Sequence, residues 1–139
     1  MTDLNTMASN IKTVLETVPG IKQAYDHEPQ AISQFPAATL YFDGFTQDDL
    51  TTNRNEVGWK WTVRLYLQLN TSDVKSPQVA IRSLLTDTLK ELRKNINLNN
   101  SCLYHTVSNG DVFAILDQAN PLMVVEFTLV ATTRESIYG

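Results

Sequence analysis

Thirteen consecutive residues, Val57 to Leu69, alternate between two kinds of side chain. Val57, Trp59, Trp61, Val63, Leu65, Leu67 and Leu69 fall on one side, and Gly58, Lys60, Thr62, Arg64, Tyr66 and Gln68 on the other. Successive side chains of a strand point to opposite faces, so the pattern predicts a strand with one face against a core. It is long for a strand. At ~3.3 Å per residue it spans on the order of 40 Å, so part of it is expected to project beyond the core as a hairpin.

Elsewhere the period changes. Leu4, Met7, Ile11, Val14, Leu15 and Val18 recur every three or four residues, which predicts a helix capped by Thr2 or Asp3 and stopped by Pro19-Gly20. Ser76-Pro77 opens a second helix with the stripe Ile81, Leu84, Leu85, Leu89, Leu92 and Ile96, fraying into the turn-rich run Asn95–Asn100. Strands are predicted at Ile21–Asp26 and, after Pro36, at Ala37–Phe45. Thr46–Asn55 is polar apart from Leu50 and reads as a long loop of the kind that binds or moves. Leu103–Val107 and Asp111–Asp117 read as two strands joined by a hairpin turn at Ser108-Asn109-Gly110-Asp111. Leu122–Thr133 is the last strand, apolar on both faces in its first half and therefore central, and Arg134–Gly139 reads as a tail. The order α-β-β-β-α-β-β-β predicts an α+β domain over residues 1–139, a mostly antiparallel sheet carrying two helices.

Composition narrows the functional classes. A chain of 139 residues with 42% hydrophobic content builds a core without metal or disulfide. Its charged fraction, 19%, lies below the usual ~25%, which points to surface that ends up against something other than water. Net charge is −4, and the nearest thing to a basic cluster, Lys90, Arg93 and Lys94, closes a helix, where cations complement the dipole. Binding to nucleic acid through phosphate contacts is therefore disfavoured. Cys102 is the only cysteine, so no intrachain disulfide forms, which suits a reducing compartment. No signal peptide is read at the N-terminus, and no apolar run approaches the ~20 residues of a membrane span.

Candidate chemistry is sparse. His27 stands between Asp26 and Glu28, but three consecutive residues do not converge on one ion, and His105 reads as a packed or surface strand residue. Asp43, Asp48 and Asp49 lack calcium-loop spacing. There is no nucleophile elbow and no Gly-rich phosphate loop. The expectation is a protein that is not an enzyme, with no metal and no cofactor. Trp59 and Trp61 share a face and read either as core wall or as an inter-subunit anchor. Lys60, Arg64 and Tyr66, on the other face, read as solvated sheet or as a surface for neighbouring subunits.

The whole succession has a resemblance. A helix ends near Pro19-Gly20, followed by the extended Ile-Lys-Gln-Ala-Tyr and the strand Phe-Pro-Ala-Ala-Thr-Leu-Tyr-Phe. A polar stretch then leads to Trp-Lys-Trp-Thr-Val-Arg-Leu-Tyr-Leu, a helix and closing strands. Over nearly its full length the chain resembles the tail terminator (tail completion) proteins of long-tailed bacteriophages and the related tail-to-head joining proteins. The resemblance implies a structural virion protein at the head-proximal end of the tail, assembled in the host cytoplasm. Such proteins form a ring, usually a hexamer, that caps the tail tube and ends its polymerisation. The implied partners are other copies of the chain, the tail tube protein, the head–tail connector and, in contractile tails, the sheath; no sequence-specific nucleic acid and no membrane is implied. The residues expected at subunit or tail interfaces are Gln47, Asp48, Asp49, Asn53, Arg54, Trp59, Lys60, Arg64 and Tyr66. Two alternatives stand beside this: a head–tail connector (neck) ring protein and, from another class, a small ligand-binding domain or enzyme.

Overall fold

The computed structural model describes residues 2–51, 54–69, 75–116 and 120–136. In chain order the elements are α1 (Leu4–Glu16), β1 (Gln23–Tyr25), β2 (Ala37–Thr51), β3 (Arg54–Gln68), α2 (Lys75–Lys94), β4 (Tyr104–Ile115) and β5 (Leu122–Ser136). They form an α+β fold with one five-stranded sheet, ordered β1-β2-β3-β5-β4, in which only the β1–β2 pair is parallel.

α1 begins where Asp3 caps it. The Asp3 carboxylate accepts the Asn5 and Thr6 amides at 3.0 and 3.2 Å and the Thr6 hydroxyl at 3.0 Å, satisfying donors that the first turn leaves free. The Thr6 amide leads in holding that carboxyl below its ordinary value. Met7, Ile11, Val14 and Leu15 point inward from α1, and Ile81, Leu84 and Leu92 from α2. They cover one face of the sheet, where Leu40, Trp61, Val63, Leu65, Met123, Val125, Phe127 and Leu129 complete a single core. Full burial of one such side chain is worth ~1.5–3 kcal/mol.

β3 and β5 are the two central long strands, paired in continuous register from Arg54↔Ser136 to Gln68↔Leu122. β5 is apolar on both faces because a second, smaller core lies on the sheet's other side. There Ala37, Tyr66, Leu122 and Val124 pack with Ile32, Phe35 and Ile115, bringing the connection between β1 and β2 across one end of that face. On the face of β3 away from the helices, position 58 is a glycine for a steric reason: a Cβ there would lie 3.0 Å from Thr46 Oγ1 and 3.1 Å from Val130 Cγ1.

Three expectations from the sequence are corrected. Thr46–Asn55 is no loop, because β2 continues to Thr51 and β3 starts at Arg54, with Gln47↔Val57, Asp48↔Glu56 and Asp49↔Asn55 in register. Thr46, Gln47 and Asp48 are exposed, so this part of the strand carries no apolar alternation to read. Ser108–Gly110 is no hairpin turn but a bulge within one strand, β4, where the register shifts between Ser108 and Asp111. Asn109 has a φ of 56°, a conformation that Asn-Gly supplies to bulges as readily as to turns. The order is therefore α-β-β-β-α-β-β. The expected tail at Arg134 instead continues β5 as far as Ser136.

Two outcomes are expected. Phe127 is 2% exposed at the centre of the core, so Phe127→Ala should lower unfolding free energy by about 3–5 kcal/mol in urea titration; a loss below about 1 kcal/mol would contradict its placement. His105 is buried on β4 with Nδ1 2.9 Å from the Ile96 carbonyl, which makes Nδ1 the donor, and burial pushes its pKa below 6.5. As pH falls, the unfolded chain then takes up this proton before the folded one. The contribution is complete above the ordinary value and is lost as pH falls towards the depressed folded value. Thermal midpoints between pH 7 and 5 should therefore fall more steeply for the native chain than for His105→Gln, and equal slopes would contradict the assignment.

Candidate assembly surfaces

The β2–β3 hairpin carries the first surface. β1 pairs with β2 only at Ala37–Thr39, so from Leu40 onward the outer edge of β2 has no strand neighbour among the described residues. A register shift between Phe42 and Gly44 then changes which side chains share a face. Residues three apart in a regular strand face opposite ways. Here the irregularity, with Gly44 at a φ of 127°, sets Phe42 opposite Trp61 and Phe45 opposite Trp59, so both phenylalanines join the helix-covered face.

The four rings form a tilted ladder: Phe42–Trp61 centroids are 5.2 Å apart, Phe42–Trp59 6.4 Å and Phe45–Trp59 5.8 Å. Such pairs add ~0.5–1.5 kcal/mol beyond area burial. Trp61 is buried, and Trp59 is held half-buried by an Nε1–H bond to Thr133 Oγ1 at 2.9 Å. Phe42 and Phe45 remain 42% and 58% exposed. The tryptophans are thus the inner wall of an aromatic cluster whose outer members, on the same face of the sheet, stay open to solvent.

The second surface is the sheet's other side edge. From Ser108 to Ala114 β4 is exposed, with Val112 at 55% and Leu116, just beyond the strand, at 67%. Asp111 is the only Asp, Glu, Lys or Arg in β4, and the strand contains no proline. Edge strands are ordinarily protected by such residues, by short length or by bulges; this twelve-residue strand has that one charge and the bulge between Ser108 and Asp111.

The residues singled out in the sequence divide among different environments. Gln47 and Asp48 lie exposed on the distal hairpin, while Asn53 and the side chains of Asp49 and Arg54 lie outside the described residues. Lys60 is half-buried on the face opposite the helices. Arg64 and Tyr66, on that same face, are engaged within the chain by Glu28. Its carboxylate accepts Thr39 Oγ1 at 2.6 Å, the Tyr66 hydroxyl at 3.0 Å and Arg64 Nη1 at 3.0 Å. Arg64 also lies 3.6 Å from Glu126 and 5.4 Å from the centre of the Tyr41 ring. Burial by itself would lower the guanidinium pKa, but the Tyr66 hydroxyl and the carboxylates of Glu126 and Glu28 outweigh it and raise it. Burial, followed by the Glu28 charge, pushes the Tyr66 phenol up.

Glu28 gave no signal in the sequence, since its partners lie 11, 36 and 38 residues away. The Phe42–Phe45 surface was equally hidden, because the spacing that places both rings on one face exists only with the bulge.

Beside Glu28, Arg64 and Tyr66 an open cleft of about 500 Å³ has Ile32, Phe35 and Leu122 on its apolar side. Among the described residues no group of three or more His, Cys, Asp or Glu is placed to hold a metal ion. Cys102 is partly buried and its thiol is pushed up to about 11 by that burial, which keeps it protonated and weakly nucleophilic at neutral pH. His27 sits 2.9 Å from Asp26 in the open and holds that carboxyl below its ordinary value. No described helix is long and apolar enough to cross a membrane. No protein-family model matches the chain, and no curated protein matches it.

Removing the carboxylate that gathers Thr39, Arg64 and Tyr66 should destabilise the fold. Glu28→Ala is expected to lower unfolding free energy by about 1–3 kcal/mol, and Tyr66→Phe by about 1 kcal/mol. In a double-mutant cycle the two losses should be less than additive; strict additivity would contradict the network.

Proposed function

We propose that the chain is a structural subunit that assembles with copies of itself into a ring on the end of a long-tailed phage tail tube, stops tube growth and offers a surface for joining tail to head. The observation that carries this reading is the distal β2–β3 hairpin, where Phe42 and Phe45 are exposed beside an edge of β2 that has no strand neighbour among the described residues. Exposed aromatic side chains on a rigid element suit contact with another protein rather than with water. The resemblance to tail terminator proteins, in size and element order, gives that contact its biological setting. A head-to-tail ring needs two different complementary surfaces on each subunit, and the hairpin and the exposed β4 edge, at opposite sides of the sheet, leave more than one surface open to other chains. Under this reading the protein acts by fitting and not by catalysis. Its partners are the tube protein, the head–tail connector and, in a contractile tail, the sheath.

Tube polymerisation tests the proposal. Added to polymerising tail tube protein, the chain should arrest growth and leave a ring at one tube end in electron micrographs. Replacing Gln47–Asn53 with a two-residue Asn-Gly turn should leave the far-ultraviolet circular dichroism spectrum essentially unchanged but impair arrest. Tubes that elongate equally with and without the native chain would overturn the proposal. Full arrest by the shortened variant would remove the distal hairpin from it.

A further inference from the structure

The charges on the chain are segregated. Between Phe42 and Trp61, four acids (Asp43, Asp48, Asp49 and Glu56) stand against two bases, Arg54 and Lys60, a net of −2. α2 holds five bases (Lys75, Arg82, Lys90, Arg93 and Lys94) against Asp87 and Glu91, a net of +3. These segments occupy separate parts of the molecule: the hairpin is at the β1–β2 side of the sheet, while α2 packs over β3 and β5.

Among the described residues the charges of both segments are only partly paired within the chain: Asp43 accepts the Thr62 hydroxyl at 3.2 Å, and Arg82 Nε donates to the Gln78 carbonyl at 3.1 Å. Asp48 and Glu56 are directly opposite one another in the β2–β3 register, and like charges in that position repel. The one described ion pair that relieves them is Glu56 with Arg134, at 3.9 Å on an exposed surface. On α2, Arg82, Lys90 and Arg93 recur at spacings of eight and three, which puts them on one exposed stripe with Val79. Among the described residues none of these three cations has an ion-pair partner, while Lys94 on the same helix pairs with Glu91 at 3.1 Å. The last-turn position of Arg93 complements the helix dipole, but Arg82 lies eleven residues before it and is outside the reach of that effect.

The two segments also match in length. The five residue steps from Asp43 to Asp48 span ~16 Å along a strand, and the eleven steps from Arg82 to Arg93 span ~16 Å along a helix. We infer that the outer face of α2 on one copy docks against the acidic distal β2–β3 hairpin of the next, with Arg82, Lys90 and Arg93 along the row from Asp43 to Asp48 and Glu56. The occupant of each surface is a second copy of this chain, and the contact is heterologous, so it propagates from copy to copy. This inference rests on the proposed ring and specifies which surfaces close it. Phe42 and Phe45 lie on the other face of the same free β2 edge and remain available to the tube.

Charge reversal tests the contact. Sedimentation velocity over a concentration series should show self-association that weakens as salt is raised. Arg82→Glu/Lys90→Glu/Arg93→Glu and, separately, Asp48→Lys/Glu56→Lys should each weaken self-association by about tenfold or more. Thermal melts of both variants establish that they fold. An equimolar mixture of the two restores opposite charges at every contact, as does the chain carrying all five substitutions, and both should recover association. Association that persists unchanged in either reversed variant, or that the mixture fails to restore, overturns the docking mode and leaves the ring proposal standing on another interface. A native chain that stays monomeric at every concentration overturns both.

Discussion

β3 is the constraint on which the rest of the molecule depends. It pairs with β5 from Arg54 to Gln68 and with β2 from Arg54 to Tyr66, and Trp61, Val63 and Leu65 of its inward row join the core beneath the helices. Each of these residues is therefore fixed three times: by the strand on each side and by the layer above. Shifting the register by one residue would turn Trp61, Val63 and Leu65 towards the opposite face, which is why so long a strand tolerates no slippage. The two features that bear on function follow from this anchoring. The β3 arm of the hairpin is held by β5 up to Arg54↔Ser136. The aromatic ladder exists because β2 accommodates one irregularity against a partner that cannot move.

Much of the fold is legible in the sequence, and the reason is burial. Both helices, the Asp3 cap, the core face of β3 and the central position of β5 are specified by apolar periodicity against a core. What stayed hidden lies where one of those conditions fails. The distal hairpin is strand without a buried alternating row, so its polar residues look like a loop. β4 holds together a single strand across Asn109-Gly110 because pairing with β5 on both sides of the bulge outweighs the local preference for a turn. The Glu28 network joins residues distant in sequence and different in type, and no local pattern records such a convergence.

The same division holds for the surfaces. Trp59 and Trp61 are visible as a pair, and the pair alone favours core wall without closing off interface anchor; the structure makes Trp61 buried core and Trp59 the partly buried base on which Phe42 and Phe45 lean. Arg64 and Tyr66, two of the nine residues expected at an interface, spend their polar groups on Glu28. Charge was legible segment by segment, but not where the segments lie in the molecule. A net of −4 conceals an acidic hairpin and a basic helix, and the separation of the two, more than the sum, is what makes self-recognition physically reasonable.

A subunit of a closed ring and an independent globular domain differ most plainly in mass. Native mass spectrometry of the purified chain, over a concentration series and at low salt, measures that mass without a partner protein. Ring assembly requires one discrete oligomer whose stoichiometry, once formed, does not change with concentration. Monomer alone at every concentration would contradict ring assembly, and so would an open-ended ladder of oligomers.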